Sequence, residues 1–294
     1  INYWVLNENY EKAKKHFSQV IPMLHCYEDW FGKFPFYEDG YKLVEAPYLG
    51  MEHQSAIAYG NNFEMGYRGR DLSNTGRGLN WDFIIVHESG HEWFGNNISA
   101  KDVADDWIHE SFTAYGENLF VECLYGKQAG AEYVIGTRQR ILNDKPMIAD
   151  YGVNQGGSGD VYYKGANMLH TLRQIVNNDS IWKTLLQGLN KTFWHKTVTT
   201  DEIENYISVF LKLDLKSFID NENLTDNEKK LGYALMDLFE NYELIFMGAD
   251  NNKFNKNVIL LSLREMTNLS TKEIRNSMKK YKKLYSFILG DTLK

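Results

Sequence analysis

The sequence predicts an α+β fold in which a small sheet precedes a mostly helical region. Two short runs typical of strands occupy residues 41–45 and 55–59. Apolar residues at helical spacing dominate the chain after Gly126. Of the 294 residues, 43% are hydrophobic and 14% are aromatic, which is enough for a sizeable buried core. We therefore expect one large globular domain or two.

The chain opens with a predicted amphipathic helix over residues 7–31. Its apolar residues near helical spacing are Ala13, Phe17, Val20, Ile21, Leu24 and Trp30. We expect a kink at Pro22, because proline removes a backbone hydrogen bond and crowds the preceding turn. Residues 33–36 lead into the strands, and a loop rich in glycine and arginine, residues 66–78, follows them.

The next segment, from His87 to Glu110, has the residues of a zinc site. His87 and His91 are four positions apart, so on a helix they project about 40° from each other and can share one metal. Glu88 lies about 100° round the helix from His87, where it can polarise a water without being a ligand. Glu110 supplies a third ligand. Two imidazoles and one carboxylate are typical of catalytic zinc, which keeps an open position.

An alternative is that both histidines are core residues, since Phe83, Gly90 and Phe94 share their helical face. A second predicted helix, residues 102–126, argues against this alternative. Its apolar face carries Glu110 and Glu117, and no lysine or arginine lies within it to neutralise them. A metal is the expected partner of Glu110. Glu117, two turns on, fits an acceptor for the free N–H of a ligating histidine.

Four motifs, which occur in the order and approximate spacing of that family, resemble the gluzincin aminopeptidases of the aminopeptidase N family. The first is His87-Glu88-Ser89-Gly90-His91, followed by eighteen residues and Glu110; the second is Trp93-Phe94-Gly95-Asn96. Residues 50–53 resemble that family's GxMEN exopeptidase motif, and residues 160–165 resemble its YxKG segment. The resemblance runs from about residue 2 to residue 220.

The resemblance implies a thermolysin-like catalytic domain with one Zn²⁺ per chain. It implies that Glu52, with Gly50 and Met51, binds the free α-amine of a peptide, on a sheet edge beside the metal helix. It further implies that Tyr162 donates a hydrogen bond to the oxyanion of the tetrahedral intermediate. Tyr163 is the adjacent competitor, and only the register of the YxKG segment favours Tyr162.

Two positions of the exopeptidase motif depart from the family. Leu49 stands where its first glycine is expected, and His53 replaces its asparagine. We assign His53 to hydrogen bonding rather than to the metal, because three ligands already leave the open position that catalysis needs. Family members also carry a β-rich domain before this region and a helical domain after it, and neither is evident here.

Residues 221–294 form a predicted helical tail of unknown role, which we separate from a catalytic domain at residues 1–220. The tail carries 12 Lys+Arg and 10 Asp+Glu, which gives it a net charge of +2. Since the whole chain has a net charge of −7, residues 1–220 have a net charge of −9. Helices are predicted at residues 231–247 and 257–265, and a third begins at Ser270 or Thr271. Its basic end is compatible with a helix-turn-helix, but a solvated cationic helix is the commoner explanation.

The charge, the cysteines and the distribution of apolar residues bear on the partners and the location of the protein. A mildly acidic chain makes nucleic acid an unlikely partner. Cys26 and Cys123 form no CxxC unit; they neither require a disulfide nor exclude an extracytoplasmic setting, and we expect them to pack in the core. No apolar run is long enough for a membrane span. Ile1 opens inside a strand-like or linker segment, so we expect a fragment boundary there, and the sequence assigns no compartment.

The predicted function is zinc-dependent removal of N-terminal residues from peptides. The alternative is a core that holds zinc and a peptide but turns over little, because flanking domains are missing. The presence of both Glu88 and Tyr162 favours catalysis. Epoxide hydrolysis, known in one branch of the family, is a third possibility that nothing in the sequence selects.

Overall fold

The computed structural model describes residues 1–221, 223–240 and 256–288. They fall into two compact units. The first comprises Ile1–Arg173 and Asn178–Glu204, and the second comprises Gln174–Asn177 and the described residues from Asn205 onward. The first unit combines a small sheet with helices, so the predicted α+β class is confirmed. The domain boundary at residue 220 stays a prediction.

A four-stranded sheet forms one part of the first unit. Its strands are β1 (Asn2–Trp4), β2 (Lys42–Glu45), β3 (Gly50–Met51) and β4 (Ile57–Tyr59). They lie in the order β1-β2-β4-β3, with β3 antiparallel to β4 and the other pairs parallel. All three residues of β4 are buried, and Leu43 of β2 is fully buried beside them. The short strand β3 therefore lies at the edge of the sheet.

The predicted first helix is two helices, and the interruption lies in the turn that precedes Pro22. Helix α1 (Tyr10–His16) and helix α2 (Val20–Phe31) are separated by a 3₁₀ turn at Phe17–Gln19. Pro22 lies in the first turn of α2. Proline is tolerated there because the amides of the first turn have no acceptor within the helix.

Two helices carry the HExxH motif and the following glutamates. Helix α3 (Phe83–Gly90) is buried along its whole length, and helix α4 (Trp107–Tyr125) ends at Gly126. Asp82 caps α3, because its carboxylate accepts hydrogen bonds from the amides of Ile84 and Ile85. The same buried carboxylate accepts a bond from the Tyr59 hydroxyl at 2.7 Å, which ties the start of α3 to the sheet.

The remaining elements of the first unit are mostly helical, as predicted. They are β5 (Ile98–Ala100), α5 (Lys127–Thr137), α6 (Tyr163–Val176), α7 (Asp179–Thr192), β6 (Lys196–Val198) and α8 (Thr200–Asn221). Strands β5 and β6 pair in parallel. Helices α6 and α8 each contribute residues to both units.

The second unit has its own small core. Its helices after α8 are α9 (Asp226–Glu240), α10 (Lys256–Thr267) and α11 (Thr271–Ile288). Its buried apolar residues are Leu224, Leu231, Ala234, Leu263, Leu269, Ile274 and Tyr281. The helix predicted at residues 231–247 begins earlier than expected, and residues 241–247 lie outside the described residues.

The predicted start of the last helix is confirmed as a reciprocal capping box. The Ser270 hydroxyl accepts from the amide of Glu273, and a Glu273 carboxylate oxygen accepts from the amide of Ser270 at 2.8 Å. Helix-turn-helix character is not tested by this geometry. Among the helices that the structure describes, none is both long and apolar enough to cross a membrane.

The two cysteines form a disulfide, which the sequence had left open in favour of simple core packing. Cys26 on α2 and Cys123 on α4 are joined, with a Cα–Cα distance of 6.1 Å and a sequence separation of 97. Their pairing depends on how α2 packs against α4, which no local pattern encodes. The bond links the N-terminal helices to the helix that carries Glu110 and Glu117.

We predict that this disulfide stabilises the protein. Closing a loop of this length should contribute roughly 2–5 kcal/mol, chiefly by restricting the unfolded chain. Urea unfolding with and without a thiol reductant measures this difference in the free energy of unfolding. The control is the double variant Cys26→Ser/Cys123→Ser, which should be insensitive to reductant. Identical unfolding curves for the parent protein in both conditions would contradict the prediction.

Candidate active site

His87, His91 and Glu110 converge on one point between α3 and α4. The Nε2 atoms of the two histidines lie 3.3 Å apart. The Oε2 atom of Glu110 lies 3.3 Å from Nε2 of His87 and 3.6 Å from Nε2 of His91. All three side chains are buried, so water is largely excluded from the point that they share. The structure thus brings together the three predicted ligands.

The outward-facing nitrogens of both histidines have partners. Nδ1 of His91 lies 3.0 Å from the carbonyl oxygen of Phe94, and Nδ1 of His87 lies 2.8 Å from Oε1 of Glu117. A carbonyl only accepts, so His91 donates from Nδ1, and a carboxylate favours the same tautomer for His87. The two Nε2 atoms then present lone pairs to each other. Neither can donate to the other.

These residues fit a zinc ion. Oε2 of Glu110 is buried and has no hydrogen-bond partner among the described residues. A buried carboxylate oxygen facing two imidazole lone pairs is unfavourable unless a cation lies between them. Two imidazole nitrogens and one carboxylate oxygen are also the donors that catalytic zinc takes. Within the described residues, neither group of possible metal donors includes His53, which is exposed.

Glu117 is held at its far side as well. Its Oε2 accepts a hydrogen bond from the Tyr133 hydroxyl of α5 at 3.0 Å. The carboxylate therefore bridges His87 and Tyr133 and fixes the orientation of the imidazole. Sequence reasoning identified Glu117 but missed Tyr133. No sequence signal points to Tyr133, because the contact depends on the packing of α5 against α4.

Glu88 lies beside this cluster. One carboxylate oxygen each from Glu88 and Glu52 and one ring nitrogen of His91 all lie within 4.8 Å of one another. Burial raises the pKa of the Glu88 carboxyl to about 7, and the negative charge of Glu52 adds to this shift. A carboxyl group with a pKa near neutrality can both take up and release a proton during turnover.

The turn that carries Glu52 is held at both ends by the segment around the second histidine. Nδ2 of Asn96 donates to the carbonyl oxygen of Glu52 at 2.8 Å. Three residues later, the amide of Ser55 donates to Oε1 of the buried Glu92 at 2.7 Å. Glu92 is a second residue that sequence reasoning missed. These two bonds hold Glu52 close to His91, next to the edge strand β3.

Gly50 lets this edge strand approach α3 closely. A Cβ atom at Gly50 would lie 2.7 Å from Cγ2 of Ile84 and 2.9 Å from Oε1 of Glu88. Both distances are shorter than real contacts permit, so a larger residue would displace Glu88. Met51 is 43% exposed at the strand edge. An exposed edge of this kind can pair with an extended peptide.

Tyr162, not Tyr163, lies next to the cluster of possible zinc ligands. The ring of Tyr162 is centred 5.9 Å from that of His87, and the Glu110 carboxylate is close enough to influence the pKa of its hydroxyl. Burial and the charge of Glu110 raise the pKa of the Tyr162 hydroxyl, so it keeps its proton and remains a donor. The strongest carboxylate influence on Tyr163 comes instead from Glu117.

Fold and site together describe a zinc metallopeptidase. The chain matches the peptidase family M1 domain over residues 16–221. This match covers more than half of the chain. The protein therefore belongs to peptidase family M1, and the gluzincin resemblance is confirmed. Its cofactor is zinc, as in the zinc metallopeptidases whose structures it resembles.

Named relatives support the same assignment. Leukotriene A-4 hydrolase from Xenopus laevis is 24% identical over 226 residues, which cover 71% of this chain and 35% of that protein. Endoplasmic reticulum aminopeptidase 2 from Homo sapiens is 24% identical over 135 residues, which cover 42% of this chain and 14% of that protein. The chain thus spans about a third or less of the length of these relatives.

Two solved structures resemble the chain over different shares of its length. A mutant M1 zinc metallopeptidase from Deinococcus radiodurans, bound to a Tyr-Ser-Ala substrate, is 25% identical with a TM-score of 0.50, covering 65% of this chain and 39% of that one. Yeast LTA4 hydrolase in complex with bestatin is 17% identical with a TM-score of 0.58, covering 95% of this chain and 55% of that one. The second likeness concerns the fold alone. It extends past residue 221, where the family match ends.

We predict about one zinc ion per chain, bound by His87, His91 and Glu110. The variant His91→Ala should lose the metal, because two remaining donors cannot hold zinc tightly. The control is Glu88→Gln, which keeps the three donors and should retain zinc at close to full occupancy. Elemental analysis of both purified variants measures this. Full occupancy in His91→Ala would overturn the ligand assignment.

Proposed function

We propose that this chain is the catalytic core of an aminopeptidase that removes single residues from the free N-termini of peptides. The observation that carries the proposal is the short distance between two sites. A carboxylate oxygen of Glu52 lies within 4.8 Å of donor atoms of both Glu88 and His91. An ammonium bound by Glu52 therefore leaves room for little more than one residue before the reacting carbonyl.

In this proposal Glu52 binds the substrate's ammonium group through a charge-assisted hydrogen bond. Zinc, when bound, supplies a Lewis acid that polarises the scissile carbonyl and makes water a better nucleophile. Glu88 takes the proton of the attacking water and passes it to the leaving amine. Tyr162 turns its hydroxyl from Glu110 towards the carbonyl oxygen, where it stabilises the developing negative charge.

The alternative is a zinc- and peptide-binding core with little or no turnover. The part of each relative that this chain spans is small, which is the argument for it. Against it stands the complete set of reacting groups, since Glu88 and Tyr162 both lie beside the zinc donors. The likeness to leukotriene A-4 hydrolase also raises epoxide hydrolysis. An amine-binding carboxylate at Glu52 favours peptides over an epoxide.

We predict that this chain cleaves peptides with a free N-terminus and not their acetylated forms. Glu52→Gln removes the charge that binds the ammonium, so kcat/KM should fall by about 10² on free peptides. Acetylated peptides should remain poor substrates for both proteins. The control is Glu64→Gln, which changes an exposed glutamate. Equal rates on free and acetylated peptides would indicate an endopeptidase instead.

We also predict that the two adjacent tyrosines are not equivalent. Removing one oxyanion donor costs about 10² to 10³ in turnover, so Tyr162→Phe should lose that much at saturating substrate. Tyr163→Phe serves as the matched control and should lose far less. Zinc content should be unchanged in both variants. Greater damage in Tyr163→Phe would mean that the motif alignment is shifted by one residue.

A further inference from the structure

Ser111 joins the two halves of the proposed catalytic centre. It is fully buried on α4, directly after Glu110. Its hydroxyl donates a hydrogen bond to the carbonyl oxygen of Val161 at 2.5 Å. Val161 directly precedes Tyr162. One side-chain bond therefore connects the residue next to a proposed zinc ligand with the residue next to the proposed oxyanion donor.

The Ser111 hydroxyl bonds outside its own helix. A serine hydroxyl inside a helix commonly bonds the carbonyl one turn earlier in the same helix. The partner of Ser111 is instead 50 residues away in sequence, in the turn before α6. The bond also satisfies a buried carbonyl group, which would otherwise lose its partner at a cost. The hydroxyl thus connects two separate elements rather than bending its own helix.

Gly165, in the first turn of α6, packs directly against the side chain of Ser111. A Cβ atom at Gly165 would lie only 1.7 Å from Oγ and 2.4 Å from Cβ of Ser111. Any other residue at this position would therefore push α6 away from α4. The carbonyl oxygen of Tyr162 accepts from the amide of Ala166 at 2.9 Å, so Tyr162 moves with the first turn of α6. Ser111 therefore contacts Val161 before Tyr162 and Gly165 after it.

The side chain of Tyr162 cannot supply this connection during turnover. Its hydroxyl is near the Glu110 carboxylate, which contributes to its raised pKa, and it has to be free to turn towards a carbonyl oxygen. Asp160 does not supply it either, because its carboxylate accepts from the amides of Leu142 and Asn143, in the loop before α6. The backbone contact through Ser111 is unaffected by the rotation of the tyrosine side chain.

We propose that Ser111 is a positioning residue that sets the distance of Tyr162 from the zinc-binding residues. The inference rests on the proposed function, in which Tyr162 is the oxyanion donor. It adds that this donor is positioned by the hydrogen bond from the Ser111 hydroxyl to the backbone of Val161, and that Ser111 lies on α4, the helix that carries Glu110. A small displacement of a catalytic group lowers the reaction rate strongly. Loss of this bond should therefore reduce turnover without reducing the affinity for substrate.

A double-mutant cycle of Ser111→Ala with Tyr162→Phe tests the proposal. Ser111→Ala alone should lower kcat roughly 10-fold, with KM within about 2-fold and zinc content unchanged. In the Tyr162→Phe background the same substitution should change kcat by less than about 2-fold, because the group that it positions is already absent. The matched control is Ser73→Ala, which removes a buried hydroxyl that bonds Asp71 and should leave kcat unchanged.

A second pair of variants addresses the packing directly. Gly165→Ala should lower kcat at least as much as Ser111→Ala, because the added methyl group displaces α6. Ser111→Gly removes both atoms that the methyl group would strike. The combination Ser111→Gly/Gly165→Ala should therefore recover part of the thermal stability that Gly165→Ala loses. It should not recover kcat, since the hydrogen bond to Val161 remains absent.

Three outcomes would overturn the inference. Equal fold losses from Ser111→Ala in the parent and Tyr162→Phe backgrounds would mean a general structural role. Loss of zinc in Ser111→Ala would mean that the serine acts through Glu110. Recovery of kcat in Ser111→Gly/Gly165→Ala would mean that packing alone matters. Failure of the proposed function is recognised separately, because Tyr162→Phe alone would then leave turnover unchanged.

Discussion

The structure depends on one electrostatic constraint, which is the burial of Glu110 beside two imidazoles that face it with lone pairs. Helix α4 has no lysine or arginine to neutralise this carboxylate or Glu117. A divalent cation is the group that satisfies the buried donors together. Two contacts fix the helices that carry the zinc-binding residues. Asp82 caps α3 and ties it to the sheet, and the disulfide joins α4 to α2.

The turns that carry the other proposed reacting groups are each held by hydrogen bonds between their backbone and side chains of α4 or of the segment directly after α3. Asn96 and Glu92, close after the second histidine, hold the turn that carries Glu52. Ser111 holds the turn that carries Tyr162. Since both turns are irregular segments, their own secondary structure could not place a side chain accurately. Bonds from α4 and from the segment directly after α3 supply that accuracy, so the spacing between the proposed amine site and the zinc site depends on the backbone.

The second unit has a different basis for its stability. Its core comprises apolar side chains from α9, α10 and α11 and the segments next to them, and the capping box at Ser270 begins the last helix. No group of possible metal donors lies in the part of this unit that the structure describes. The fold likeness to yeast LTA4 hydrolase includes most of this region, although the family match ends at residue 221.

The sequence by itself determined the features that follow from local geometry. Helical spacing put His87 and His91 on one face, and the same period put Glu110 and Glu117 on one face of α4. The serine and glutamate three positions apart marked the start of the last helix, because a capping box involves only neighbouring residues. Tertiary structure alone decided the contacts between distant segments, which are Cys26 with Cys123, Tyr133 with Glu117, and Ser111 with Val161. Periodicity says which face of a helix is buried, but the partner on that face depends on how the helices pack.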